Sequence, residues 1–259
     1  MNHFTQQSIE LANQRDYLDQ LFSVYPLVPD SIREINMAVW NNVESHFNSN
    51  NNIDMFQELL KLELFPVKDG YVPYFRKDKS AIERNPNTVN RICGRIRELG
   101  IKKLYELCTQ PKETNRQMGP LFQRWIQRGV LGIIPVDRQT FCSTNENAIL
   151  LGSDNELKEF AQSNLGYKRN KGLDFLCRFN GKYVIGEAKF ISDEGGHQND
   201  QFDDMVSTIH EEVNDGVIAI GILDGVPYIP SKKKIYTYLK THDEPIMSAL
   251  LLRTFLYQL

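Results

Sequence analysis

The chain has 259 residues, a net charge of −3 and 41% apolar residues, enough for one large domain or two small ones with a real core. It has no apolar run of membrane-spanning length, and its first ten residues lack the basic and apolar regions of a signal peptide, so we expect a cytoplasmic protein with no membrane partner. The four cysteines form no CxxC pair, which favours reduced thiols over disulfides or structural zinc.

Charge is distributed unevenly along the chain. Residues 1–60 carry 2 basic and 8 acidic side chains, whereas residues 76–128 carry 13 basic and 5 acidic ones, a net charge of +8. Lysine and arginine supply most of the non-specific affinity of proteins for DNA phosphates. The basic block therefore predicts either a phosphate-contacting face or an ordinary solvated helical surface.

The first part of the chain has apolar residues near helical spacing. This pattern predicts helices over 9–22, 31–47 and 53–65, which we assign to a scaffold or a dimer surface. Residues 67–84 are rich in proline, glycine and tyrosine and predict a loop or short strands. A further helix follows Asn85-Pro86, with Arg91 and Arg95 mostly on its polar side as candidate DNA contacts.

A polar segment precedes the next amphipathic helix. Asn115, Arg116 and Gln117 are of residue types that bind base edges, arginine to guanine and asparagine or glutamine to adenine. An alternative of equal weight is that these residues only cap and close a turn.

Acidic and basic residues then lead toward a strand-rich region. Residues 155–165 have a helical apolar pattern, and either Glu156 or Glu159 beside it is a candidate metal ligand, although solvated carboxylates are the commoner case. Lys168, Arg169 and Lys171 follow, and we expect them to hold a DNA backbone.

A β-hairpin is predicted next. Segments 173–179 and 182–190 alternate and flank Asn180-Gly181, the pair that best supplies the positive φ angles of a type I′ turn. This turn places Asp174 opposite Glu187, and Lys189 projects from the same face as Glu187. Opposed like charges are unfavourable on a sheet unless a cation offsets them, so the hairpin is a candidate metal site.

After the hairpin, a helix is predicted over 197–213, and the apolar run at 216–223 is typical of a strand buried on both faces. Strand, helix and strand in one sheet imply a parallel pair. We expect a further strand at Ile235–Leu239, and an apolar segment over 246–257 completes a mixed sheet. The fold class is α/β or α+β, with a mixed-sheet core over 136–259 and a mainly helical scaffold, DNA-contacting and candidate dimerisation region over 1–135.

The start of the helix after the hairpin is polar. His197, Gln198, Asn199 and Gln201 lie where backbone N–H groups favour a phosphate, and they are candidate DNA contacts. Their alternative role is to cap the helix or to remain on the surface.

The spacing of Asp174, twelve intervening residues and Glu187-Ala188-Lys189 resembles the PD-(D/E)XK nuclease superfamily, and the chain as a whole looks like a type II restriction endonuclease. The match covers about the last half of the chain, and Leu173 stands where the superfamily's proline is expected. The resemblance implies a divalent metal, usually Mg²⁺, double-stranded DNA as the substrate, and a homodimer that binds a palindromic or near-palindromic site.

Phosphodiester hydrolysis needs an activated water and stabilisation of the charge that develops on the phosphate. One or two Mg²⁺ ions held by Asp174, Glu187 and the backbone carbonyl of Ala188 would supply both, and Lys189 would orient or help deprotonate the water. Two alternatives stay open: a DNA repair or junction-resolving nuclease, and a non-catalytic DNA-binding protein in which the three charged side chains are a structural ion-pair cluster.

Overall fold

The structure is a computed structural model that describes residues 1–27, 32–111, 114–193 and 195–259, except the side chains of residues 114–116. The chain forms two compact units. One comprises Met1–Leu27 with Glu113–Leu259, and the other comprises Val28–Lys112. The functional division expected at residue 135 stays a prediction.

The described part of the smaller unit contains helices joined by loops and no strand. Its helices are α3 (Met37–Asn48), α4 (Asn52–Lys61), α5 (Val72–Lys77), α6 (Ala81–Arg84), α7 (Pro86–Leu99) and α8 (Ile101–Cys108). Phe56, Leu59, Ile92 and Ile96 are among the fully buried side chains of its core.

The loop or short strands expected over residues 67–84 are wrong, because α5 and α6 lie there. Val72 and Phe75 are both buried and lie one helical turn apart. Pro73 lies in the first turn of α5, where its missing N–H costs no helical hydrogen bond. The proline marked the beginning of a helix, not a loop.

The larger unit contains the other helices and all the described strands. The helices are α1 (His3–Ala12), α2 (Tyr17–Val24), α9 (Thr114–Gln127), α10 (Arg138–Ser143), α11 (Asp154–Asn164), α12 (Gly196–Ile209), α13 (Lys234–Thr241) and α14 (Ala249–Tyr257). The strands are β1 (Ala148–Ile149), β2 (Phe175–Phe179), β3 (Lys182–Ile191), β4 (Val217–Gly225) and β5 (Ile246–Met247).

The strands form one mixed sheet in the order β1-β2-β3-β4-β5. β1, β2 and β3 pair antiparallel, and β3, β4 and β5 pair parallel. The predicted α+β class with a mixed sheet and flanking helices is confirmed. The antiparallel hairpin that continues into a parallel pair is also present, and α12 is the helix of the crossover from β3 to β4.

The hairpin turn has the predicted geometry. Asn180 has φ 49° and Gly181 has φ 77°, so both loop residues lie in the left-handed region that a type I′ turn requires. The pairing of Phe179 with Lys182, continued to Phe175 with Gly186, confirms the predicted register.

Both faces of the central strands are buried. Ile220 and Ile222 of β4 belong to a core cluster that also contains side chains of α9 and α14. Ala219 and Ile185 belong to another cluster, together with Leu157 and other side chains of α11. The continuous apolar run in β4 is thus explained by helices on the two faces of the sheet.

The strand expected at Ile235–Leu239 is wrong, because α13 covers these residues. Ile235 and Leu239 are buried and lie four residues apart, so they share one face of a helix. The same short segment also alternates in polarity, and its period alone did not distinguish a strand from a helix.

None of the described helices combines the length and the apolar character needed to cross a lipid bilayer.

Candidate active site

The hairpin and helix α9 position Asp174, which lies immediately before β2. Its backbone N–H donates to the carbonyl oxygen of Gly186 at 3.0 Å, and its own carbonyl accepts from the Gln123 side chain of α9 at 2.5 Å. Its carboxylate oxygen Oδ2 accepts from the backbone N–H of Ala188 at 2.8 Å. Asp174 is therefore fixed against β3 through both its backbone and its side chain.

Glu187 and Lys189 lie two residues apart on β3 and share a face of the sheet. Lys189 Nζ lies 2.5 Å from Glu187 Oε1 and 3.9 Å from Asp174 Oδ2. The structure thus brings together the three side chains that the sequence predicted. Their catalytic role stays a prediction.

Burial makes this cluster electrostatically unusual. The side chain of Glu187 is only 2% exposed, and its oxygen Oε2 is buried without a hydrogen-bond partner among the described residues. Burial, together with the nearby charge of Glu187, raises the pKa of Asp174 to about 7. Leaving a buried carboxylate oxygen unpaired is costly. The cluster therefore has unused capacity for a cation.

Two basic residues predicted to hold a DNA backbone, Lys171 and Arg169, contact acids beside this cluster, and their role in DNA binding stays a prediction. Lys171 Nζ lies 3.1 Å from Glu187 Oε1 and also contacts Asp204 Oδ2. Arg169 donates to Asp204 Oδ1 at 2.8 Å. Lys168 is exposed and pairs with Glu212 at 3.1 Å. Residue type could not reveal these contacts, because Asp204 lies on α12, far along the chain.

The upstream glutamates have different surroundings from those expected of ligands. Glu156 forms a capping box at the start of α11, where its Oε2 accepts from the backbone N–H and the hydroxyl of Ser153, each at 2.7 Å. Glu159 is exposed on the same helix. The upstream acid near the cluster is Asp154, whose carbonyl accepts from the backbone N–H of Leu173 at 3.1 Å and whose charge also raises the pKa of Asp174. Asp154 was not among the site residues predicted from the sequence.

We expect the capping box at the start of α11 to stabilise the fold. Replacing Ser153 with alanine removes the side-chain acceptor of the Glu156 N–H and is expected to lower the free energy of unfolding by about 1 kcal/mol. Urea denaturation of Ser153→Ala and wild type measures the difference. The matched control is Ser143→Ala, which removes a hydroxyl bonded only to the carbonyl of Thr140 at the end of α10. An equal loss of stability in both variants would contradict the capping role.

The predicted DNA contacts of the basic block lie in ion pairs. Arg91 pairs with Asp69 and Arg95 pairs with Glu98, both at 2.7 Å, although both arginine side chains are more than half exposed. The polar segment expected to precede the helix is wrong, because α9 begins at Thr114 and includes Asn115, Arg116 and Gln117. Gln117 is partly buried, and the side chains of Asn115 and Arg116 lie outside the described part of the chain. Their roles in DNA binding stay predictions.

The polar residues at the start of α12 have three kinds of surroundings. Gln198 holds the preceding loop, because its Oε1 accepts from the backbone N–H of Ser192 at 2.8 Å. Asn199 has a buried Oδ1 that lacks a partner within the described residues. His197 and Gln201 lie one turn apart, with ring and amide nitrogens 3.4 Å from each other. All four remain candidate DNA contacts.

A metal ion at this site would depend on few protein ligands. Within residues 1–27, 32–111, 114–193 and 195–259, no group of three or more His, Cys, Asp or Glu side chains is arranged to hold one. Mg²⁺, however, commonly uses only one or two carboxylates together with water and substrate phosphates. Asp174 and Glu187, with the unpaired Oε2 of Glu187, fit that donor set.

Comparison with known proteins places the whole chain in a family. The family model described as Tsp45I type II restriction enzyme matches residues 2–259. No curated protein and no solved structure matches the chain. The match spans both compact units, including the hairpin with Asp174 and Glu187. The chain therefore belongs to the Tsp45I family of type II restriction enzymes, which implies that it binds DNA and acts as a site-specific DNA endonuclease.

Proposed function

We propose that the chain is a Mg²⁺-dependent endonuclease of the PD-(D/E)XK type, with Asp174, Glu187 and Lys189 as its catalytic residues. The observation that carries this proposal is the buried Oε2 of Glu187, which has no hydrogen-bond partner among the described residues and lies beside Asp174 and Lys189. The substrate is double-stranded DNA, and the reaction is hydrolysis of a phosphodiester bond.

Type II restriction enzymes generally use a divalent metal. Asp174, Glu187 and the backbone carbonyl of Ala188 would hold one or two Mg²⁺ ions here, because hard oxygen ligands suit this cation. When bound, the metal would lower the pKa of the attacking water and neutralise charge on the scissile phosphate. Glu156 and Glu159 are weaker candidates for a further ligand, since the first caps α11 and the second is exposed.

Lys189 supplies a positive charge at a defined position. Glu187 Oε1 holds its ammonium group at 2.5 Å, and the backbone of β3 fixes the spacing between the two residues. An ammonium group there would orient the attacking water, help to remove its proton and attract the phosphate. Asp174, which binds a proton more readily than an ordinary aspartate, must lose that proton to serve as a metal ligand.

The proposal also covers the oligomeric state of the enzyme and the residues that contact DNA. Two active sites related by a two-fold axis match the symmetry of a palindromic or near-palindromic DNA site, so we propose a homodimer. The proposed DNA contacts are Arg91, Arg95, Asn115, Arg116, Gln117, Lys168, Arg169, Lys171, His197, Gln198, Asn199 and Gln201.

Digestion of long, mixed-sequence duplex DNA tests the proposal. We expect discrete fragments in the presence of Mg²⁺ and intact DNA when EDTA removes divalent ions, because the carboxylate pair alone does not activate water. Gel electrophoresis of the products measures both outcomes. A smear would contradict sequence specificity, and intact DNA in Mg²⁺ would contradict the catalytic proposal and favour a DNA-binding module.

A further inference from the structure

Lys171 lies between two carboxylates on different elements. Its Nζ is 3.1 Å from Glu187 Oε1 on β3 and also contacts Asp204 Oδ2 on α12. Glu187 Oε1 therefore has two ammonium partners, Lys171 and Lys189. The side chain of Lys171 is 30% exposed, whereas that of Glu187 is 2% exposed. Because part of the Lys171 side chain faces solvent, its ammonium group can shift without displacing core side chains.

Asp204 is a preformed second partner for this lysine. Arg169 donates through Nη2 to Asp204 Oδ1 at 2.8 Å and through Nη1 to the carbonyl of Asp204 at 3.0 Å. The same Nη1 donates to the hydroxyl of Thr208 at 2.6 Å. These bonds hold Asp204 in place whether or not Lys171 contacts Glu187.

The carboxylates of Glu187 and Asp204 already have cationic partners without a metal. Glu187 Oε1 contacts Lys189 and Lys171, and Asp204 contacts Lys171 and Arg169. A divalent cation at Glu187 would add two positive charges next to the two ammonium groups. A metal ion and an ammonium group that contact the same buried carboxylate repel each other strongly. One ammonium must withdraw, and Lys171 is the one with a second carboxylate to receive it.

We propose that Lys171 is shared between Glu187 and Asp204 in the metal-free enzyme and transfers wholly to Asp204 when a divalent metal binds. The inference rests on the proposed function, since it takes Glu187 as a metal ligand. Lys171, Asp204 and Arg169 are positioning residues in this scheme. Before a metal binds, Lys171 and Lys189 neutralise the buried carboxylate of Glu187. Once Lys171 contacts only Asp204, that carboxylate can bind the metal.

Binding of Mn²⁺ to the full-length protein without DNA tests the transfer, with the EPR signal of free Mn²⁺ as the readout. Mn²⁺ accepts the same carboxylate ligands as Mg²⁺. Lys171→Gln is expected to bind Mn²⁺ about tenfold more tightly, because no ammonium has to be displaced. Asp204→Asn is expected to bind about tenfold more weakly, because Lys171 loses its second partner. Lys182→Gln, at the far end of β3, is the matched control and keeps the wild-type affinity.

The double variant separates transfer from simple long-range electrostatics. If Asp204 acts by receiving Lys171, Asp204→Asn has little effect once Lys171 is glutamine, as a double-mutant cycle would show. An equal weakening in both backgrounds, or an unchanged affinity in Lys171→Gln, overturns the proposal. If the glutamine variant does not fold, Lys171→Met, which keeps the apolar stem, takes its place.

Glu187→Gln distinguishes this inference from the proposed function. Loss of Mn²⁺ binding in Glu187→Gln together with an unchanged Lys171→Gln rejects only the role of Lys171. Wild-type Mn²⁺ affinity in Glu187→Gln rejects the metal site itself.

Discussion

Replacement of Glu187 with glutamine is expected to lower the rate of DNA cleavage by about 10³-fold or more, because removing a carboxylate ligand loses several kcal/mol of the metal's stabilisation of the transition state. Glutamine keeps the shape of the side chain and an oxygen that accepts from Lys189 and Lys171. Asp174→Asn is expected to have a similar effect. Single-turnover cleavage of a duplex that contains the recognition site, in saturating Mg²⁺, measures the rate.

The matched control is Glu44→Gln, which removes an exposed carboxylate from α3 and should cleave at nearly the wild-type rate. Circular dichroism and thermal unfolding establish that all three variants are folded. Wild-type cleavage by Glu187→Gln would show that the active site lies elsewhere. A loss in Glu44→Gln equal to that in Glu187→Gln would show that removing any carboxylate slows cleavage, which would contradict the role of Glu187 as a metal ligand.

The hairpin was predictable because its local chemistry is specific. Asn180-Gly181 dictates a turn with two positive φ angles, and the turn then determines which residues pair across the strands. The continuous apolar run of β4 likewise predicted a strand buried on both faces. In both cases the signal lies within a few neighbouring residues, so no tertiary information was needed.

The partners of the basic residues were not predictable in the same way. Lys171 and Arg169 contact Asp204, more than 30 residues along the chain, because α12 returns to the hairpin after β3. Arg91 likewise pairs with Asp69 of a different segment. The number of basic residues in a segment is known from the sequence, but the fold determines which acidic residues form ion pairs with them.

Asp224 was missed because it lies at the end of the apolar run of β4. It is fully buried, and its Oδ2 accepts from the hydroxyl of Tyr25 at 2.8 Å and from the backbone N–H of Ala249 at 3.2 Å. Its Oδ1 accepts from the hydroxyl of Ser248 at 2.5 Å. The acid thus joins the residue that ends α2 to the beginning of α14. Burial, despite these three donors, raises the pKa of Asp224 to about 7.

The raised pKa makes the contribution of Asp224 to stability depend on pH. Since the folded protein holds this proton to about pH 7 and the unfolded chain releases it near the ordinary value of 3.8, the contribution is greatest below pH 4 and is lost as the pH rises to 7. Asp224→Asn carries a permanently neutral side chain. Relative to this variant, wild type is expected to lose on the order of 3 kcal/mol of unfolding free energy between pH 4 and 7.5.

Urea denaturation of both proteins across this pH range, in EDTA, measures the difference. Asp174 also titrates near pH 7, but it is present in both proteins and cancels from the comparison. Tyr25→Phe, which removes one donor to Asp224, is expected to raise the pKa further and to widen the range over which stability falls. A difference between wild type and Asp224→Asn that stays constant with pH would mean that Asp224 is already ionised in the folded protein at pH 4, held by its three donors. Its buried charge would then stabilise the junction of α2, β4 and α14 as a carboxylate rather than as an acid.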